Sequence, residues 1–197
     1  MDSDQIARIG YNLLAPFYDF FLGSDSKIGL HMRQDIARRL ELRKGARILE
    51  VSVGTGANLP FIYKKIGRTG KIFGLDISEG MLAKCRENIV KKGIPAQLVL
   101  GNANNLPYKD NSFDAVLHFG AINFFSNKRK AISEMVRVAK PGAKIVIGDE
   151  RLPLMRSTEP PVNLIPKNAV NLGVSEEKLI FQGFWMLELR KLRKAEK

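Results

Sequence analysis

The stretch Ile48-Leu49-Glu50-Val51-Ser52-Val53-Gly54-Thr55-Gly56-Ala57-Asn58 decides the fold. Its apolar run ends in a Gly-x-Gly turn and passes into Leu59-Pro60-Phe61-Ile62-Tyr63, which has helical spacing, so it reads as strand, glycine turn, helix. Gly54 and Gly56 let the backbone turn tightly and approach a ligand that a Cβ would push away. A nucleotide-like ligand is expected there. A dinucleotide fingerprint would carry a third glycine to seat the helix under a pyrophosphate, but Leu59 holds that place. The Gly-Lys-Ser/Thr ending of a phosphate loop is absent, and no Lys or Arg stands in the turn. Instead a carboxylate, Glu50, lies near the strand's end. An anionic ligand is therefore disfavoured, and a cationic or zwitterionic one with an adenosine moiety fits better.

Working outward, Gly67 and Gly70 bracket a turn into a second strand, Lys71 to Asp76, followed by Ser78 as cap of the helix that carries Met81 and Cys85. A carboxylate ending the second strand can accept the ribose hydroxyls of an adenosine, which makes Asp76 the second anchor. Gly93 and Pro95 close that helix. Gln97 to Leu100 form a third strand before Gly101-Asn102-Ala103-Asn104-Asn105. Ala115 to Phe119 read as a buried fourth strand, Lys128 to Ala139 as an amphipathic helix, and Lys144 to Gly148 as a further strand after the turn Lys140-Pro141-Gly142. Prolines 153, 160, 161 and 166 break the chain beyond, with a short helix expected around Lys167 to Leu172. Lys178 to Gln182 and Phe184 to Arg190 are expected to pair as a terminal hairpin.

Glu50-Val51-Ser52-Val53-Gly54-Thr55-Gly56 resembles the first motif of class I S-adenosylmethionine-dependent methyltransferases, with Ser52 in place of the usual first glycine. Gly74-Leu75-Asp76-Ile77-Ser78-Glu79-Gly80-Met81-Leu82 resembles the next motif. Phe113-Asp114-Ala115-Val116 and Glu134 to Gly142 are similar to the small-molecule branch, so the likeness spans roughly residues 45 to 150. It implies a Rossmann-like α/β fold, with a seven-stranded, mostly parallel sheet, a terminal antiparallel hairpin and helices on both faces. It also implies one methyltransferase domain over 1–197, made of a helical lid (1–44), a cofactor-binding core (45–150) and a loop with the hairpin (151–197). The cofactor would be S-adenosyl-L-methionine, held by Glu50, Ser52, Gly54, Thr55, Gly56, Asp76, Ile77, Met81, Asn102, Ala103 and His118. Ile77 and Met81 would cover the adenine, and Asn102 stands where the family usually has an aspartate that accepts from the adenine amino group. Tyr18-Asp19 stands where quinone-precursor and phospholipid methyltransferases often carry a Tyr-Asp pair. The wording of the glycine turn through Asn58-Leu59-Pro60 is especially similar to bacterial phospholipid N-methyltransferases.

The N-terminal segment places Ile6, Ile9, Leu13 and Leu14 on one helical face up to Pro16. It is expected to pack on the core or to close over the ligand with Tyr11, Tyr18 and Asp19 inward. A basic helix follows from Lys27 to Leu42. His118, Asn123 and Tyr18 are the candidate catalytic groups, His118 as a general base and Asn123 as a substrate-positioning amide; Asp149 and Glu150 lie at another strand end. Methyl transfer itself requires no nucleophile on the protein, since the sulfonium carbon is already electrophilic.

Composition bounds the rest. With 197 residues, 45% of them hydrophobic and 26% charged, the chain suits one globular domain. One cysteine, Cys85, excludes an internal disulfide, and two histidines are too few for a histidine-rich metal site; no metal is expected. No signal-like or membrane-spanning stretch is read, so a cytoplasmic protein is expected. The net charge of +12 is met by a soluble basic surface or by an anionic partner such as a membrane surface. The acceptor is expected to be a small or lipid-like molecule. A nucleic-acid methyltransferase and a non-catalytic S-adenosylmethionine binder are the alternatives, the first disfavoured because no aromatic-basic interleaving of the single-strand-binding kind occurs.

Overall fold

The computed structural model describes residues 3–21, 27–151, 160–178 and 183–193. Three helices, α1 (Ser3–Leu14), α2 (Tyr18–Phe21) and α3 (Lys27–Arg39), precede an alternation of strands and helices. The strands are β1 (Arg47–Val51), β2 (Lys71–Asp76), β3 (Ala96–Leu100), β4 (Phe113–Phe119), β5 (Ala139–Arg151), β6 (Ala169–Lys178) and β7 (Gly183–Lys191). Between them lie α4 (Leu59–Ile66), α5 (Glu79–Lys91) and α6 (Lys128–Val138). The seven strands form one sheet in the order β3-β2-β1-β4-β5-β7-β6. Pairings from β3 to β5 are parallel, and β7 runs antiparallel to both β5 and β6.

The central strands carry apolar runs because both faces of a parallel sheet are covered. Ile48, Leu49 and Val51 are fully buried, as are Ala115, Val116 and Leu117 beside them. One layer packs Ile36, Leu40, Leu59, Ile62 and Ile89 against the sheet, and the other packs Ile132, Met135 and Val136 with Trp185 and Phe113. Strand order reverses between β1 and β4, and ligands of such sheets lie outside the strands' carboxyl ends at that switch.

One expectation is corrected. No helix forms over Lys167 to Leu172: β6 begins at Ala169 and pairs with β7 as an edge strand. Pairing with a partner strand prevails over weak helical preference, and a bulge between Asn171 and Gly173 shifts the register. The hairpin therefore runs from Ala169–Lys178 to Gly183–Lys191, and most of the expected first arm, residues 179–182, lies outside the described residues. Helix α1 buries none of its residues fully. Its apolar face turns outward, with Leu13 74% and Phe17 just beyond it 61% exposed. The polar side of the helix faces the core instead. No helix among the described residues is long and apolar enough to cross a membrane.

Candidate functional site

At the carboxyl ends of β1, β2, β3 and β4 lies a cavity enclosing about 610 Å³ of space, its open mouth included. Its walls include Ser52, Gly54, Asp76, Ile77, Met81, Asn102 and Ala103 from the strand ends, and Asp4, Tyr11 and Tyr18 from the N-terminal helices. Phe119, Phe124 and Phe125 give an aromatic side opposite the carboxylates.

The glycine turn is tied to the second strand. Gly54 N donates to Asp76 Oδ2 at 2.8 Å, and Val53 N donates to Leu75 O at 3.0 Å. Asp76 Oδ1 accepts from Ser78 N at 2.9 Å, while Ser78 Oγ accepts from Met81 N and caps α5. Gly54 has φ +54, and a Cβ built there would meet nothing within 4 Å, so the turn leaves room at the wall for a ligand to approach the backbone. Ser52 takes the same left-handed region with φ 58 and lines the cavity, so the serine keeps the turn of the glycine it replaces. Gly56 serves packing: a Cβ there would lie 2.7 Å from Cys85 Sγ. Thr55 and Gly56 line a separate depression with Asp19, Arg33 and Asn88.

Charge in this region is arranged for a cation. Burial raises Asp76 above the ordinary carboxylate range against the backbone N–H groups that it accepts from. Burial likewise pushes Glu50 up to about 7, with Asn58, whose Nδ2 donates to Oε1 at 2.6 Å, and Arg33 opposing it. Glu50 is buried beneath the turn rather than in the cavity wall, and its Oε2 has no hydrogen-bond partner. Burial raises both carboxylates, and a positive ligand beside them would favour their ionised forms.

His118, opposite Val51 in the sheet, is fully buried and outside the cavity wall. Its Nδ1 lies 3.0 Å from Val51 O, an acceptor, so Nδ1 carries the hydrogen and Nε2 is a bare lone pair with no partner. Burial drives the ring down to about 4, leaving it neutral beside Phe125. Asn123 also turns away: its Nδ2 donates to Asp149 Oδ2 at 2.7 Å, and Lys128 Nζ donates to its Oδ1. Glu150's side chain lies outside the described residues. Cys85 is buried with its thiol pushed up to about 12 by desolvation. No cluster of His, Cys, Asp and Glu suited to a metal occurs among the described residues.

The N-terminal helices are fastened by Asp4 and Asn12, which sequence reasoning did not single out, and by Asp19, which it did. Asp4 accepts from Asn102 Nδ2 (2.8 Å), Ser126 N (2.8 Å) and Ser126 Oγ (2.6 Å). Asn12 Oδ1 accepts from Ser78 Oγ (2.7 Å) and Gly80 N (2.9 Å). Asp19 accepts from Thr55 Oγ1 (2.6 Å) and Asn88 Nδ2 (3.2 Å). The available signal was Asp4, Ala7 and Tyr11, at helical spacing on the side of α1 opposite its apolar residues; all three line the cavity.

The chain is 41% identical over 116 residues to a demethylmenaquinone methyltransferase of Shouchella clausii, which covers 58% of this chain and 49% of that one. It is 35% identical over 106 residues to a ubiquinone/menaquinone biosynthesis C-methyltransferase of Burkholderia thailandensis, 54% of this chain and 44% of that one. The chain thus spans about half the length of the curated relatives it matches. In shape it resembles the [4+2]-cyclase SpnF, with a TM-score of 0.80, 18% identity and coverage of 98% and 97% of the two chains. A SAM-dependent methyltransferase of Aquifex aeolicus gives a TM-score of 0.65 at 22% identity, covering 81% of this chain and 89% of that one. Residues 49–147, half of the chain, match the family described as Methyltransferase domain, and to that family the protein belongs.

Proposed function

We propose that the protein binds S-adenosyl-L-methionine in the cavity under α1 and transfers its methyl group to a small, quinone-like aromatic acceptor. The observation that carries this reading is the pairing of Gly54 and Asp76 in one wall, with open space where a Cβ of Gly54 would stand. The residues fit the cofactor: Asp76 would take the ribose hydroxyls, Ser52 and Gly54 of the turn would lie along the amino-acid portion, and Ile77, Met81 and Ala103 would cover the base. Glu50 would supply negative charge from beneath the turn. When bound, the cofactor supplies an electrophilic methyl group, so the protein need only hold an acceptor in line and exclude water. Tyr11, Tyr18, Phe119, Phe124 and Phe125 offer flat apolar surface for an aromatic ring. His118, neutral and walled in, supports no role as a proton acceptor, and Asn123 would act only by moving from Asp149. The relatives named for demethylmenaquinone and for ubiquinone/menaquinone biosynthesis favour this acceptor class over a phospholipid headgroup or a nucleic acid.

A lipid-like acceptor would also reside at a membrane surface. The outward apolar face of α1, Ile6, Ile9, Leu13 and Leu14 with Phe17, supports peripheral contact with an anionic bilayer, as does the net charge of +12. Flotation with anionic but not zwitterionic vesicles is expected, reversed by L13E/F17E; equal partition of that variant would sink the contact. For the cofactor, a thermal shift with S-adenosylhomocysteine at about a hundred times its dissociation constant should reflect about 2.7 kcal/mol of stabilisation. Absence of a shift with it, or a shift with NADH alone, would refute the cofactor. Methyl release from labelled cofactor with a demethylated quinol, and none without it, tests turnover and separates an enzyme from a non-catalytic binder.

A further inference from the structure

The amide of Asn102 is already engaged on both sides. Its Oδ1 accepts from Asn104 N at 2.8 Å, and its Nδ2 is given to Asp4 Oδ2 at 2.8 Å. The position matters because of strand order. With Asp76 at the end of β2 taking a ribose, and the glycine turn at the end of β1, the base of an adenosine lies further out, toward β3 and the rim Gly101-Asn102-Ala103. Adenine presents an exocyclic amino group, a donor, which a selective site must meet with an acceptor.

The charged acceptor at that rim is on the N-terminal helix. Asp4 lines the same cavity. Its Oδ2 takes Asn102 Nδ2, Ser126 Oγ and, at 3.4 Å, Asn104 Nδ2. Among the described residues its Oδ1 takes Ser126 N alone, while a carboxylate has about four acceptor sites. We infer that Asp4 is the carboxylate that reads the adenine amino group, so that base recognition in this chain is delivered by the lid rather than by the loop after β3. The inference rests on the cofactor reading above.

The amide at 102 then has a reason. An aspartate there would set a second carboxylate against Asp4 at hydrogen-bond distance, and the two would repel. An asparagine instead donates to Asp4 and anchors it. Burial works against charge on Asp4, but the hydrogen bonds from Ser126, Asn102 and Asn104 outweigh it and hold the group below the ordinary carboxylate range. The carboxylate is therefore ionised wherever the protein is folded at neutral pH, and it is a strong acceptor. Closing α1 and selecting adenine become a single event, since the same side chain does both.

The test is calorimetric binding of S-adenosylhomocysteine and of S-inosylhomocysteine, in which a carbonyl replaces the amino group, to wild type, D4N, D4A and D4N/N102D. Losing a hydrogen bond to a charged acceptor costs about 10- to 100-fold. Wild type should prefer the adenosyl ligand by that factor. D4A should bring the ratio to within about threefold, chiefly by weakening the adenosyl ligand, and D4N/N102D, which returns the charge to the loop, should restore it. D4N preserves the size of the side chain and guards against misfolding as the cause. A ratio unchanged in D4A and D4N, with both ligands weakened equally, would make Asp4 a latch and overturn the inference while leaving the cofactor reading standing. Failure of wild type to bind either ligand would overturn both.

Discussion

Replacing Glu50 by glutamine should change how stability depends on pH, and the size of the change follows from its burial. Glu50 has a raised native pKa, about 7 against the ordinary 4.5, because it is desolvated. The native state therefore holds the proton more tightly than the unfolded chain does. Its contribution to stability is complete below pH 4.5 and is lost as pH rises through about 7, a change of about 3 kcal/mol at about 1.4 kcal/mol per pH unit. His118 acts in the opposite sense. Its native pKa is lowered from 6.5 to about 4, so its contribution is complete above pH 6.5 and is lost as pH falls through about 4. Between pH 4.5 and 6.5 the two slopes nearly cancel in the wild type. E50Q removes one of them while keeping an acceptor for Asn58 Nδ2. Urea unfolding at half-unit steps from pH 4.5 to 8, without ligand, should show the stability of E50Q relative to wild type rising by about 3 kcal/mol up to pH 7.5. H118Q should show the mirror image, gaining on the wild type as pH falls. A difference between E50Q and wild type that stays flat across this range would refute the reasoning, because a solvated or fully compensated Glu50 has no such slope.

Other perturbations act through single contacts. G56A meets Cys85 Sγ at 2.7 Å and a φ of +81, so it should cost about 2 kcal/mol or more, and C85A should recover only the steric part in a double-mutant denaturation series. R137M removes the guanidinium that holds Glu134, Asp110 and the carbonyls of Leu106 and Tyr108; a loss of about 3 kcal/mol is expected, whereas D110N, at an exposed carboxylate, should cost under about 0.5 kcal/mol. G80V presses on Asn12, whose backbone oxygen lies 3.1 Å from the Cβ position, so amide exchange in α1 should quicken with little change in global stability; wild-type exchange rates would contradict the latch.

The order of elements from β1 to β5 was legible because glycine turns, caps and apolar runs are local signals. Ser78 caps α5, Asp76 ends β2, and Gly54 with Ser52 forms the left-handed turn, all within a few residues of the motif that announces them. The lid was legible as a helix with Tyr11 and Tyr18 inward, but not in how it is fastened. Asp4 finds partners 98 and 122 residues away, and such contacts leave no period in the sequence. The amphipathic stripe on α1 says that one face is apolar, and distant polar partners decide which face meets the core. His118 and Asn123 were near the right strand ends, yet Val51 O and Asp149, brought close by β1 and β5, turn them from the cavity.

The placement of β7 between β5 and β6 bears on the order in which the chain is made. Synthesis runs from the N-terminus, so β5 emerges well before the strand that covers its open side. Until residues 183 to 191 follow, Ile145 and Ile147 sit on a strand with one unpaired edge, and Trp185 is missing from the layer beneath. Until β7 docks, that edge is a template for pairing with another chain. The site at the other end of the sheet involves nothing later than Ser126 in the contacts that fasten its lid, so the ligand pocket can assemble on the nascent chain while its own scaffold still lacks a strand.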